Sequence, residues 1–462
     1  MKRRSSYKKK SSFKMVSSVL LLALLGGAAY LYTSPEFERE APQIKMPKST
    51  YWNGRAPLEI AFEDNEGLKA FEITLSDGLH SIMVGKGEFP KGTKSQTLML
   101  KYPTNTVLDK KAKALVLEVK VNDSSYWNFF EGNHATKKER LTMDFQRPNV
   151  NILSNSRSIN QGGSALVVFQ ALDENLKELY IEANHHTFKP TPYKRDGYYA
   201  SLIAWPFTEE GFDAKIIATD KAGNRRETHI PLYHHNPKYR TSYIRASDKF
   251  IDGKITDLAF SNPDYADIDD KLKRLKAINE TMRLKNENLI HSLAVKVSDE
   301  RIDSWKMRRF YPLKNAKKVA SFGDHRYYYY GSRENVVSES YHLGYDLAST
   351  KMAPIMSSNS GKVVFAAENG IYGNMPMIDH GLGLYTLYGH CSQLLVKEGD
   401  SVHAGEVIAR TGMSGLALGD HLHFGILVQG IEVRPVEWFD KGWIQTNIDD
   451  VFKVANKIID MK

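Results

Sequence analysis

The spacing of hydrophobic residues changes character several times along the chain. From Met15 to Tyr32 it is a continuous uncharged run of 18 residues, at the short end of what crosses a bilayer. Beyond it the apolar positions alternate. Leu58-Glu59-Ile60-Ala61-Phe62, Phe71-Glu72-Ile73-Thr74-Leu75 and Leu115 to Val121 show the period of two that half-buried strands require. The plan then repeats, since Asp64 to Lys69 ahead of the Phe71 run is echoed by Asp173 to Lys177 ahead of Leu179-Tyr180-Ile181. Near Asp264 the period lengthens: Ile268, Leu272, Leu275, Ile278, Met282, Leu289 and Leu293 recur at three, four and seven, and Asp267, Asp269 and Asp270 load the first turn. This predicts an amphipathic helix of about 27 residues and about 40 Å. From about Arg309 the strands shorten, and 13 of the 32 glycines fall between residues 361 and 430, which points to tight turns. Met375 to Asp379 and Leu384 to Tyr388 read as a hairpin, and Ile448 to Met461 as a short helix that docks on the surface.

These periods predict a mainly β chain in eight parts. They are a basic segment 1–14, a transmembrane anchor 15–33, a linker 34–47, β domains over 48–146 and 147–236, a helical linker 237–305, an antiparallel β-rich module 306–442 and a C-terminal helix 443–462. Two blocks of about 90 to 100 residues suit β-sandwiches. The turn Asp220-Lys221-Ala222-Gly223-Asn224 resembles that of bacterial immunoglobulin-like domains. Such sandwiches could act as spacers, as docking sites for an envelope-protein partner, or as covers over the active-site groove.

Charge changes the picture less than it first promises. The net charge is +9, but residues 1–14 carry seven lysines and arginines and no acid, which leaves +2 for the rest. A nearly balanced body argues against nucleic acid as a partner. Basic residues before the apolar run and Glu36, Glu38 and Glu40 after it place the N-terminus in the cytoplasm and the bulk outside. A cleaved signal is the alternative, with Gly26-Gly27-Ala28-Ala29 as its small residues. The single cysteine, Cys391, excludes an internal disulfide. Its neighbour His390 raises a Cys/His peptidase, but neighbours along a strand face opposite ways, so the expected role is a small buried hydrophobe.

The candidate chemistry lies between His342 and His423. A His and an Asp four apart, His342 and Asp346, can converge on one point, and His421 and His423, two apart in an apolar run, project from one strand face. Two imidazoles and a carboxylate are a zinc set, and three protein ligands leave a fourth position for water. By contrast His185-His186 and His234-His235 have no carboxylate at ligand spacing and read as solvated. His380 and His403 sit in Gly-containing turns, with turn or surface roles or places at the groove edge.

Over Ala320 to Phe439 the sequence closely resembles the lysostaphin-type zinc endopeptidases. The resemblance is carried by Ser321-Phe322-Gly323, the His342/Asp346 pair, Ile371-Tyr372-Gly373-Asn374, Ile378-Asp379-His380-Gly381, Leu387-Tyr388-Gly389-His390 and His421-Leu422-His423-Phe424. It implies one Zn2+ per chain on His342, Asp346 and His423, with His390 and His421 as catalytic histidines. It also implies peptidoglycan as substrate, cut in its stem or cross-bridge peptides, and places the enzyme in the bacterial envelope with its catalytic module periplasmic or extracytoplasmic. Tyr328, Tyr330, Tyr372 and Asn374 are candidates for the substrate groove. Family members that bind peptidoglycan or activate hydrolases without catalysis lack ligands, whereas this chain has all five positions. Cys391 stands where leucine is usual, and the long insertion before His342, a hairpin with Tyr327 to Tyr330, could shield the groove.

Overall fold

The computed structural model describes residues 12–104, 106–109 and 111–461, with side chains from residue 15 onward. The predicted basic segment lies outside these residues except for the backbone of 12–14. Strands dominate, and the chain divides into two compact units, Met1–Arg147 with Asp220–Asn224 and Pro148–Thr219 with Arg225–Lys462.

In the first unit the apolar run is a helix, Ser12–Thr33. Its stretch Met15–Thr33 has 19 residues and buries none of its apolar surface, and at 1.5 Å per residue it is about 28 Å long, close to one hydrocarbon core. It is therefore a candidate membrane anchor or signal sequence. Pro35 ends it by forcing Ser34 out of the helical region, to φ −73° and ψ 130°,. Two sheets follow. One orders Gln43–Lys45, Leu58–Glu63 and Ser95–Leu100; the other orders Tyr51–Trp52, His134–Met143, Ala114–Asp123, Leu68–Ser76 and Ser81–Glu88. Alternation does what it predicts: Ile60 and Phe62 from one sheet and Ile73, Leu75, Leu117 and Val119 from the other fill one core.

The second unit starts with two more four-stranded sheets. Its central strand, Ser164–Leu172, is buried at every position but the last, because both faces are covered. One cover is the C-terminal helix Asp450–Asp460, which buries Val451, Phe452, Ala455 and Ile459. These sheets share one continuous core with the C-terminal module. At that junction Glu437 is buried, accepts from Asn160 Nδ2 at 2.6 Å and Ser164 N at 3.2 Å, and is pushed up to about 7 by burial.

The expected long helix starts later than its spacing predicts. Asp264 belongs to a single turn, Pro263–Ala266, and the helix proper begins at Lys271, capped by Asp270, whose carboxylate accepts from the amides of Leu272 and Lys273. It runs to Ala294 through a wide π turn, Ala277–Met282. A π turn holds an extra residue, which shifts the buried face by one position. Ile290 and Ala294 are therefore buried where the spacing pointed to Leu289 and Leu293, and Leu289 is exposed. Within the predicted linker, Thr241–Arg245 is also a strand, parallel to Asp324–Tyr329.

The C-terminal module is built on an eight-stranded sheet. Leu422–Val428 lies inside it, buried throughout, between Tyr345–Ala348 and Leu384–Gly389. The hairpin around His380 to Gly383 forms as predicted, with Met377 opposite Leu387.

Candidate metal centre and groove

Strand register brings the first two site residues together. Asp346 and His423 are direct cross-strand partners, and on the other side His423 faces Gly389, which has no side chain to crowd it. His342 ends the strand Val336–His342 and closes the group. His342 Nε2 lies 2.9 Å from Asp346 Oδ1 and 3.0 Å from His423 Nδ1, and the third edge is 3.0 Å. All three residues are buried.

The protons in this cluster are telling. His342 Nδ1–H donates to Ser321 O at 2.8 Å, which leaves Nε2 to face the Asp346 carboxylate. A lone pair at Nε2 and a carboxylate oxygen at 2.9 Å would repel unless a proton or a metal cation lies between them,. A tetrahedral zinc at about 2.0–2.1 Å spaces its donors about 3.3 Å apart, so the cluster fits a small divalent ion after an opening of a few tenths of an ångström. Burial pushes the Asp346 carboxyl up, but His342 and His423 outweigh it and hold it well below the usual range. Burial drives His423 down to about 4 against the pull of Asp346, which keeps its imidazole neutral as a ligand must be,. Gly344 makes this packing possible, since a Cβ there would lie 2.4 Å from His423 Nε2 and 2.5 Å from Cε1.

The two remaining histidines stand beside the cluster. His390 Nδ1–H donates to Ser414 O at 2.9 Å, and His421 Nδ1–H to Gly419 O at 2.8 Å. A neutral ring at either position therefore has its lone pair on Nε2,. Their ring centroids are 4.8 Å apart, and His421 Nε2 lies 3.8 Å from Asp346 Oδ2. Burial, reinforced by His421 and His423, lowers His390 to about 3. His390 has φ 66°, which turns the chain at the strand end and separates it from Cys391. The thiol of Cys391 is fully buried, hydrogen-bonds Tyr388 O at 3.1 Å and is pushed up to about 12 by burial, so it is no nucleophile,.

All five residues line one groove of about 1090 Å³. Tyr328 and Tyr372 line it too, whereas Tyr330 and Asn374 do not. The hairpin explains Tyr330. Asp324, Arg326 and Tyr328 alternate onto the groove face, then a bulge between Tyr328 and Tyr329 reverses the parity, so Tyr329 lines the groove and the Tyr330 hydroxyl meets Asp248 and Lys271 instead. Asn374 is spent on backbone, donating from Nδ2 to Cys391 O at 3.3 Å.

Sequence reasoning missed the groove's charge. Seven lysines and arginines line it against three aspartates. Arg326 reaches within 3.8 Å of Asp346 Oδ2, and Arg283, tied to Asn279, comes from the helical region. The period of two that put Asp324 and Tyr328 on one face was the available signal for Arg326; Arg283, Arg240 and the strand residue Arg245 gave none. The other histidines are structural or peripheral. His380 is buried, with Nδ1–H on Ser360 O, and His403 is exposed. His186 Nε2 lies 2.7 Å from Glu209, a carboxylate partner that the sequence did not reveal.

Two buried imidazoles and a carboxylate around one point, with two further histidines on an open groove, define a candidate metallohydrolase centre. Residues 340–435 match Peptidase family M23, and the C-terminal module belongs to this lysostaphin-type family. The chain is 40% identical over 95 residues to the DD-carboxypeptidase/endopeptidase Mpg of Neisseria meningitidis, covering 21% of this chain and 22% of the relative. It is 38% identical over 96 residues to the peptidoglycan DD-endopeptidase ShyB of Vibrio cholerae, again 21% and 22%. A likeness to the lysostaphin catalytic domain of Staphylococcus simulans covers 27% of this chain and 92% of that one, with 29% identity and a TM-score of 0.23. The chain thus spans about a fifth of the length of the curated relatives it matches.

Proposed function

We propose that this chain is a membrane-anchored zinc endopeptidase that hydrolyses peptide bonds in the stem or cross-bridge peptides of peptidoglycan. The observation that carries this reading is the convergence of His342 Nε2, Asp346 Oδ1 and His423 Nδ1 within 3.0 Å of one another, beside His390 and His421, in a module of the M23 family. Those three side chains would hold a zinc ion, which would supply carbonyl polarisation and an acidified water,.

The chain's own groups would do the rest. His421 is the more accessible of the two flanking histidines; its Nε2 can take a proton and, once protonated, donate to a developing oxyanion. His390, kept neutral by burial, offers Nε2 as an acceptor that orients a water or the amine of the departing peptide. The cationic wall suits a substrate bearing free carboxylates, as peptidoglycan stem peptides do. Arg283 and Arg326 are only 16% and 19% exposed, so their hold on a carboxylate would be weakly screened,. In this reading Ser12–Thr33 is the anchor, with the N-terminus cytoplasmic and the remainder outside.

Muropeptide release from purified sacculi tests it. The His421→Ala protein should keep its metal and lose turnover, whereas His423→Ala should lose both. Full release by either variant would overturn the assignment. A purely binding or activating role is not favoured, because all five positions are present and assembled.

A further inference from the structure

An aromatic loop stands beside the end of the apolar helix. Residues 126–130 read Tyr-Trp-Asn-Phe-Phe, a run that folded proteins normally hide. Here Tyr126, Trp127, Phe129 and Phe130 are 48%, 38%, 94% and 68% exposed. The backbone holds them out. Asn128, Phe129 and Phe130 have φ of 51°, 58° and 73°, three successive residues in the left-handed region that side chains with a Cβ rarely adopt.

The loop is tied to the helix end. Tyr126 N donates to Glu36 O at 2.7 Å and Ser125 Oγ to Glu38 O at 2.8 Å. A ladder of rings runs from Tyr30, in the last turn of the helix, through Phe37 and Tyr126 to Phe130, with successive centroids 6.2, 6.0 and 5.7 Å apart. Arg39 bridges the two, its guanidinium 4.7 Å from the Tyr32 ring centre and 4.2 Å from that of Trp127. Tyr30 and Tyr32 mark where the helix would leave the hydrocarbon, and the loop continues that aromatic belt sideways.

We propose that Tyr126–Phe130 is a second membrane contact, which lowers Phe129 and Phe130 into the headgroup and upper acyl region of the bilayer crossed by Ser12–Thr33. The inference rests on that helix being a retained span. Lipid, rather than a protein partner, is the occupant because the patch is continuous with the helix end and carries amphipathic rings and a cation at the level of the lipid phosphates. One helix alone can swivel about its axis; a helix and a loop together fix which face of the first unit meets the membrane.

The test uses the full chain in phosphatidylcholine vesicles whose lipids are brominated either just below the headgroup or near the chain end. Phe129→Trp places a reporter at the loop tip, and Leu24→Trp places one in mid-helix. The loop reporter should add blue-shifted emission that shallow bromines quench and deep bromines barely touch, while the helix reporter should show the reverse preference. Water-like, unquenched emission from position 129 with a quenched reporter at 24 overturns the loop contact alone, whichever partner it then serves. If neither reporter is quenched, the span itself fails and takes the proposal with it.

Discussion

Adding one methyl group at Gly344 probes the metal centre without replacing a ligand. A Cβ there would lie 2.4 Å from His423 Nε2, 2.5 Å from Cε1 and 3.0 Å from Phe424 O, where ordinary contact begins at 3.4 Å. The His423 ring or its strand must therefore retreat by about 1 Å, comparable with the mismatch that costs a positioned group most of its effect. Its Nδ1 now sits 3.0 Å from both His342 Nε2 and Asp346 Oδ1, so the same retreat opens two of the three edges. Gly344 is not in the left-handed region, so the substitution tests the contact alone. Overpacking of this kind costs about 1–3 kcal/mol, and disturbing a ligand's support weakens metal binding by about 10–100-fold. Competition with a chromophoric chelator measures the affinity, and thermal unfolding of the metal-free protein isolates the packing cost. If Gly344→Ala bound zinc as tightly as the native chain, the claim that this glycine seats the His423 ring would be wrong.

Other outcomes follow from the same geometry. Chelation should abolish muropeptide release and added zinc restore it, while thiol alkylation should leave activity intact because Cys391 is buried with its thiol pushed up to about 12. Arg326→Gln should raise KM about tenfold or more, the worth of a lost charge-assisted hydrogen bond, on substrates with free carboxylates and much less on amidated ones; equal effects on both would refute the carboxylate-reading wall. Glu437 carries a pH dependence. Its folded pKa is raised from 4.5 to about 7, so its contribution to stability is fully present below about 4.5 and is lost as pH rises through about 7, to a total of at most about 3 kcal/mol. Denaturant unfolding from pH 4.5 to 8 should show this slope in the native chain and lack it in Glu437→Gln; parallel curves would contradict the assignment.

Much of the site was legible because its determinants are local. Four-residue spacing and strand alternation bring His342, Asp346, His421 and His423 to one place, and short motifs mark each of them. The misses have a common physical form, a local insertion that resets a period. The π turn at Ala277–Met282 moved the buried stripe to Ile290 and Ala294, and the bulge after Tyr328 turned Tyr330 off the groove. Neither leaves a mark in hydrophobic spacing. The strand Thr241–Arg245 was read as linker because its pattern is polar, and its pairing with Asp324–Tyr329 is non-local. For the same reason the cationic wall assembled from distant segments was invisible, whereas the burial of every residue from Ser164 to Ala171 reflects a cover about 280 residues away, the C-terminal helix, that no local window could include.

The central claim is that His342, Asp346 and His423 hold one zinc ion per chain. Metal analysis combined with zinc-edge X-ray absorption on the purified full chain tests it most directly. The native protein should contain one zinc with two imidazole nitrogens and a carboxylate oxygen at about 2.0–2.2 Å; alanine at 342, 346 or 423 should remove the metal, and alanine at 390 or 421 should leave it in place. Full zinc occupancy after His423→Ala would contradict the account.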